Sequence, residues 1–337
     1  MKFTLNNFIT EIEITEMFEG LGSIKKVVII DRNIYELNKN KLDVYIKDSP
    51  KYFFEAIESN KTLNELRLIY SFFIENNVTR ETVILGIGGG ITTDIASFAA
   101  STFKRGCRLQ LIPTTFLGMI DAAIGGKTAV NFNGIKNAIG TFYPAEKVYI
   151  HPGFLETLQE KEYNSGWAEC LKVSLIMNNG LYEILSDKKS EITLEILQKA
   201  IEIKMTLCEN DLKDSCERRK LNLGHTFAHL IESASGYTVN HGEAVAIGIR
   251  KAAEHSYNEK MIRKNEFNKI NELLDKYNLS DIISNEIKSK IKENGKELIF
   301  QDKKAGEKVR LVLFRGFQDI IVLEIDNHQK VIDLMTS

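Results

Sequence analysis

The chain has 337 residues, 43% of them hydrophobic and 27% charged, with a formal net charge of −2. That length suffices for two domains with a substantial core, and the interspersed acids and bases exclude a nucleic-acid footprint or a polybasic membrane segment as an expectation. No apolar run reaches bilayer length and the start, Met1-Lys-Phe-Thr, lacks the core of a signal peptide, so a cytoplasmic protein without nucleic-acid or membrane partners is expected.

In chain order, the apolar run 27–30, closed by Asp31-Arg-Asn33, reads as a strand, and the alternating stretch 43–47 as a second. Leu63, Leu66, Ile69, Phe72 and Phe73 recur at helical spacing behind Thr62, a suitable N-cap. Residues 82–87 read as a buried strand running into Gly88-Gly-Gly90, 91–103 as a helix, and 109–112 as the next strand. Strand and helix alternate, which implies a parallel sheet covered on both faces. From Gly153 onward helical periodicity dominates, over 181–185, 192–207, 227–233, 244–259 and 267–277. Two short apolar runs, 309–314 and 320–324, read as a hairpin around Arg315-Gly316. The expected fold class is an α/β Rossmann-like nucleotide-binding domain over 1–152, then a mainly α-helical metal- and substrate-binding domain over 153–337. Cys107, Cys170, Cys208 and Cys216 show no paired metal spacing and read as thiols, Cys170 as packing.

Three stretches carry chemistry. The turn Gly86-Ile-Gly-Gly-Gly90 joins strand to helix, where backbone amides and a helix N-terminus favour the pyrophosphate of a dinucleotide, although Ile91 departs from Gly-x-Gly-x-x-Gly. In Asp121-Ala-Ala-Ile-Gly-Gly-Lys127-Thr-Ala-Val-Asn131 and Gly134-Ile-Lys136-Asn137, glycines beside lysines let the backbone approach a ligand while an ammonium neutralises its charge. Three of six histidines fall in His225-Thr-Phe-Ala-His229 and at His241. His225 and His229 share one helical face, so spacing alone points them at a common target, and His241 opens the next helical run. A divalent metal site follows from that pattern if a further ligand comes from elsewhere. Upstream, Glu169 and Lys172 sit in an otherwise apolar run, where a cation for the first and an anion for the second would explain both charges.

The combination Ala168-Glu169-Cys-Leu-Lys172, Arg218-Arg-Lys-Leu-Asn222-Leu-Gly-His225-Thr-Phe-Ala-His229 and His241-Gly-Glu-Ala resembles the 3-dehydroquinate synthases of the sugar phosphate cyclase superfamily. Agreement runs from Asp31 to Lys304. The resemblance implies NAD held by Asp31, by Glu58 and Lys61, by Gly88, Gly89, Gly90 and Asp94, and by Thr114 and Thr115, with Lys127 and Lys136 between cofactor and substrate. It implies a zinc or cobalt ion on Glu169, His225 and His241, leaving His229 to transfer protons with Lys172 and Lys127. Spacing and resemblance thus disagree over His229. Asp121, Asn137, Lys204, Arg218 and Asn222 are implied to bind substrate, with Lys303 or Lys304 closing over it. Arg105 is implied to cross a homodimer interface to the neighbour's substrate phosphate.

The implied reaction converts 3-deoxy-arabino-heptulosonate 7-phosphate into 3-dehydroquinate and phosphate, by transient oxidation with NAD, elimination, re-reduction and intramolecular aldol closure. The chain departs from the family's usual glycines or prolines at Ile57, Thr93, Ser97, Gln159 and Ala228, none of them a catalytic position. Two other readings share much of the pattern. One is a different sugar phosphate cyclase, such as an amino-dehydroquinate synthase or a 2-deoxy-scyllo-inosose synthase. The other is a metal-dependent polyol dehydrogenase, which would release NADH. A non-catalytic binding module would have no use for the Lys172 and His229 pair.

Overall fold

A computed structural model of the chain describes residues 1–187, 189–279, 282–302, 309–325 and 328–336. The chain divides into two compact units, Met1–Tyr163 with Cys208–Lys213, and Asn164–Leu207 with Asp214–Ser337. Among the described residues no helix is long and apolar enough to cross a membrane.

The first unit holds strands β1 (Lys2–Leu5), β2 (Phe8–Ile14), β3 (Lys26–Asp31), β4 (Lys51–Phe54), β5 (Val83–Gly88), β6 (Leu109–Pro113), β7 (Lys127–Phe132), β8 (Ile135–Phe142) and β9 (Lys147–Ile150). Seven of them form one sheet in the order β1-β2-β9-β6-β5-β3-β4. Every neighbouring pair is parallel except β1 with β2. Parallel neighbours need crossover connections, three of which are helices here. These are α1 (Arg32–Ile46), α2 (Leu63–Glu75) and α3 (Gly90–Thr102), which follow β3, β4 and β5. All six residues of β5 are buried, which is why that segment reads as a continuous apolar run with no alternation. Thr62 caps α2 as expected, its hydroxyl accepting from the Glu65 amide at 3.3 Å.

Two features of this unit differ from the sequence reading. Residues 43–47 are not a strand: α1 runs to Ile46, and Asn38, Leu42 and Ile46 are buried at four-residue intervals. The local alternation is the edge of a helical stripe, and the strand comes later, at Lys51–Phe54. The second is the antiparallel hairpin of β7 and β8, which carries Lys127, Lys136 and Asn137. Its turn is Asn133-Gly134, with φ of +49° and +78°, the two-residue connection whose twist matches that of paired strands. That dipeptide is a hairpin signal, left unused when the stretch is read for its glycines and lysines.

The second unit takes most of α4 (Glu160–Ile176), then α5 (Leu181–Asp187), most of α6 (Leu194–Asn210), α7 (His225–Ala234), α8 (His241–Asn258), α9 (Lys264–Lys276) and α10 (Asn285–Asp302). Strands β10 (Val309–Gly316) and β11 (Asp319–Ile325) form the expected hairpin, but its turn is Phe317-Gln318 and not Arg315-Gly316, which end β10; α11 (His328–Thr336) follows. Helices α7 and α8 pack on each other and α8 packs on β10. Two glycines permit close approaches here. A Cβ on Gly248 would lie 2.1 Å from the Gly224 carbonyl oxygen, and one on Gly242 would lie 2.4 Å from Ser165 Cα. The backbone just before His225 is thereby pressed on α8, and the first turn of α8 on α4, one turn before Glu169.

Candidate active site

Those approaches converge three side chains from three helices. Nε2 of His225 lies 3.5 Å and Nε2 of His241 3.3 Å from the same oxygen, Oε1 of Glu169. An ion with bonds of about 2.1 Å and tetrahedral geometry sets its ligand atoms about 3.4 Å apart, so this spacing suits one. The second oxygen, Oε2, is in contact with the Lys172 ammonium. Glu169 is 1% and Lys172 2% exposed, yet neither carboxylate oxygen has a hydrogen bond of good geometry. A buried carboxylate in that condition, facing two imidazole nitrogens, suits a divalent cation.

The rings are oriented from behind. His225 Nδ1 lies 3.3 Å from the Leu223 carbonyl, which leaves Nε2 as the acceptor, and His241 Nδ1 lies 3.5 Å from Oε1 of Glu232. Burial opposes ionisation of Glu169, but the Lys172 ammonium and the two imidazoles hold its carboxyl well below the usual range. Burial, then Lys172, keeps His225 well below the ordinary imidazole value. Burial also opposes charge on His241, but the Glu169 and Glu232 carboxylates push it up to about 10. Burial pushes the neighbouring Cys170 thiol up, so it stays protonated and is not part of the cluster.

His229 stands one turn along α7, its ring centroid 5.7 Å from that of His225. The group whose ligand atoms all lie within 4.8 Å of one another is Glu169, His225 and His241, without His229. His225 and His229 nevertheless share a cavity of about 250 Å³ with Asn222, Asp214, Arg219 and Arg310. Lys204 and Arg218 are 5% and 1% exposed, an unusual burial for such groups. Lys303 and Lys304 lie outside the described residues. Glu232, Asp214, Arg219 and Arg310 were not singled out in the sequence. Glu232 sits three residues beyond His229 on α7, but nothing in the local pattern shows that it faces His241 from there.

In the first unit, the glycine turn lies at the C-terminal end of β5 with Gly89 as the N-cap of α3, and Thr114 and Thr115 follow β6 beside it. The Thr114 amide donates to the Gly88 carbonyl at 3.0 Å. Gly88 has φ +155°, and a Cβ there would meet Thr92 Oγ1 at 2.6 Å. Thr92 is fully buried, and its Cβ would also lie only 2.7 Å away, so a rotamer change would not relieve the clash. We expect Gly88→Ala to lower stability by about 1–3 kcal/mol and to displace the turn, read as a lower melting temperature together with weakened nucleotide binding. Asp31 ends β3 and caps α1, its Oδ1 accepting from the Asn33 amide at 2.9 Å, and burial raises its pKa above the ordinary value. Lys61 is paired with Asp94 at 2.5 Å and donates to Asn137 Oδ1 at 2.6 Å, so residues assigned to cofactor and to substrate meet in one network. Asp121 lies in the turn Gly118–Ala122, Lys127 is exposed at the start of β7 and Lys136 half-buried on β8.

A seven-stranded sheet with a glycine turn into a helix, joined in one chain to a mainly helical unit, is a fold this chain shares with solved structures of NAD- and metal-bound cyclases. Among solved structures, 2-epi-5-epi-valiolone synthase from Streptomyces hygroscopicus, with NAD+ and Zn2+ bound, is 24% identical with a TM-score of 0.81, covering 98% of this chain and 96% of that one. 2-Deoxy-scyllo-inosose synthase complexed with carbaglucose-6-phosphate, NAD+ and Co2+ is 23% identical with a TM-score of 0.85, covering 100% and 99%. The family models for the 3-dehydroquinate synthase N-terminal and C-terminal domains match residues 51–165 and 166–305. The 3-dehydroquinate synthase of Clostridium tetani is 36% identical over 307 residues, 86% of this chain and 79% of that protein. The chain belongs to the 3-dehydroquinate synthase family.

Proposed function

We propose that this chain carries out its family's reaction, as a lyase of the shikimate pathway that turns 3-deoxy-arabino-heptulosonate 7-phosphate into 3-dehydroquinate and phosphate. The observation that carries the reading is the buried cluster of Glu169, His225 and His241 beside Lys172, in a chain whose two halves both match the family. The nitrogen and oxygen donors fit zinc and cobalt alike. When bound, such an ion polarises substrate hydroxyls, and NAD takes up and returns the electrons of a transient oxidation.

Around these groups the chain's own residues bind, orient and move protons. Glu169, His225 and His241 hold the ion, with Glu232 and the Leu223 carbonyl keeping the two rings turned toward it. Buried Lys172 sets a positive field beside that carboxylate, and His229 lines the cavity next to Asn222, placed to exchange protons with substrate oxygens. Lys204 and Arg218 supply buried cations for an anionic substrate, whose phosphate and carboxylate account for so many bases. In the first unit, Asp31, Glu58, Lys61, Gly88, Gly89, Gly90, Asp94, Thr114 and Thr115 are read as the NAD site, and Asp121, Lys127, Lys136 and Asn137 as substrate-facing.

Arg105 is read as acting in a homodimer. It is exposed, and Lys104, Arg105 and Gly106 all have positive φ (49°, 65° and 119°), a costly backbone run that turns the guanidinium outward. Arg105→Ala is expected to raise the substrate KM at least about tenfold, and its mixture with an inactive Lys172 variant to recover activity above either parent. A fully active monomer in sedimentation would remove this role.

The function is tested by incubating metal-loaded protein with the heptulosonate phosphate and a trace of NAD, following phosphate and nicotinamide absorbance together. Stoichiometric phosphate without net NADH supports the reading. NADH accumulating with turnover would make the protein a polyol dehydrogenase, and the absence of phosphate release would redirect the search to substrates of other cyclases.

A further inference from the structure

We infer that Asn131 is a positioning residue that ties the nucleotide site to the hairpin bearing Lys127, Lys136 and Asn137; this rests on the NAD reading above. Asn131 falls where the pairing of β7 with β8 is irregular, between Val130 and Phe132. Its Nδ2 donates to Glu58 Oε1 at 2.7 Å and to the Glu58 carbonyl at 3.1 Å. Its Oδ1 accepts from the Asn137 amide at 2.9 Å, and its own amide donates to the Lys61 carbonyl at 2.8 Å. From the other side, Lys61 donates to Asn137 Oδ1 at 2.6 Å and to Asp94 at 2.5 Å.

The result is a ring of hydrogen bonds through Asn131, Asn137 and Lys61, closed by the Asn131 amide on the Lys61 carbonyl, with Glu58 attached at Asn131 and Asp94 at Lys61. Asn137 has φ +53°, a conformation held here by its amide on Asn131 and its side chain on Lys61. Lys61 is 4% exposed, so its charge depends on these acceptors. Only a short amide can donate to the Glu58 carboxylate and accept from the Asn137 amide at once. Loss of Asn131 therefore loosens Glu58 and Lys61 together with the hairpin, and the nucleotide site and the hairpin are energetically linked.

The test is a double-mutant cycle read by NAD titration, with melting temperature measured on every variant. Asn131→Ala is expected to weaken NAD about tenfold while the protein still melts cooperatively. Asn131→Asp sets two carboxylates together and is expected to weaken NAD at least as much in the wild-type background. In the Glu58→Gln background the donor and acceptor are exchanged, and the same Asn131→Asp change is expected to cost less than about threefold, a rescue that a general packing defect would not give. Unchanged NAD affinity in Asn131→Ala, or an equal effect of Asn131→Asp in both backgrounds, overturns the inference. If Asn131→Ala does not fold, the cycle alone decides, because its double variant keeps the hydrogen bond. Wild-type protein that binds no NAD would overturn the NAD reading itself, a result distinguishable from either.

Discussion

Glu169→Gln is expected to empty the metal site, lower kcat by more than about a hundredfold, and destabilise the fold by about 3–5 kcal/mol. These losses have separate origins. The first two follow from removing the anionic ligand that both imidazoles share, since Oε1 is the atom 3.3 Å from His241 and 3.5 Å from His225. Groups that merely orient a metal ligand are worth about 10–100-fold, so a direct ligand sets a larger effect. The destabilisation follows from Lys172, whose side chain is 2% exposed beside a carboxylate 1% exposed and which would be left as an uncompensated buried cation. Metal per chain by elemental mass spectrometry reads the first effect and urea unfolding the third, as a lower midpoint at unchanged slope. Adding Lys172→Met should restore stability without restoring metal. One metal per chain retained by Glu169→Gln would place the ion elsewhere.

His229→Gln is expected to keep metal stoichiometry at the wild-type value while kcat falls by about 10²–10⁴. His241→Ala is expected to lose the metal. The contrast separates the two readings of the histidine pair. If spacing on one helical face decided, His229 would be a ligand and both variants would lose the ion. The geometry groups His241, not His229, with His225 and Glu169. His229 lines the cavity that Asn222 also lines, and proton transfer there is the role proposed for it. The visible spectrum of the cobalt-loaded protein reads the ligand set directly. A spectrum altered in His229→Gln as strongly as in His241→Ala would make His229 a ligand.

Much of the architecture was legible because its physics is local. The alternation of apolar strands with periodic helices gives a parallel sheet, the cap at Thr62 starts α2, and the late pair of apolar runs gives the β10 and β11 hairpin. The failures were also local in cause. Residues 43–47 alternate because they sit at the margin of a buried helical stripe, and a five-residue window does not separate the two periods. Asn133-Gly134 is a hairpin signal, but the lysines and glycines around it carry a ligand-binding reading equally well, and two residues do not separate the two.

The site divides in the same way. The sequence by itself determined the cast: which residues are ionisable in apolar surroundings, where a glycine turn can receive an anion, and the motifs that mark the family. Only the tertiary structure decided who meets whom. Glu169, His225 and His241 come from α4, α7 and α8, and meet because Gly242 and Gly248 let those helices touch at distances a side chain would forbid. Glu232 behind His241, and Asn131 between Glu58 and Asn137, were likewise invisible beforehand. Periodicity along a chain reports which face a residue shares with its neighbours in sequence. The contact between two such faces depends on packing among elements far apart in sequence, and that packing turns a set of polar residues into a site.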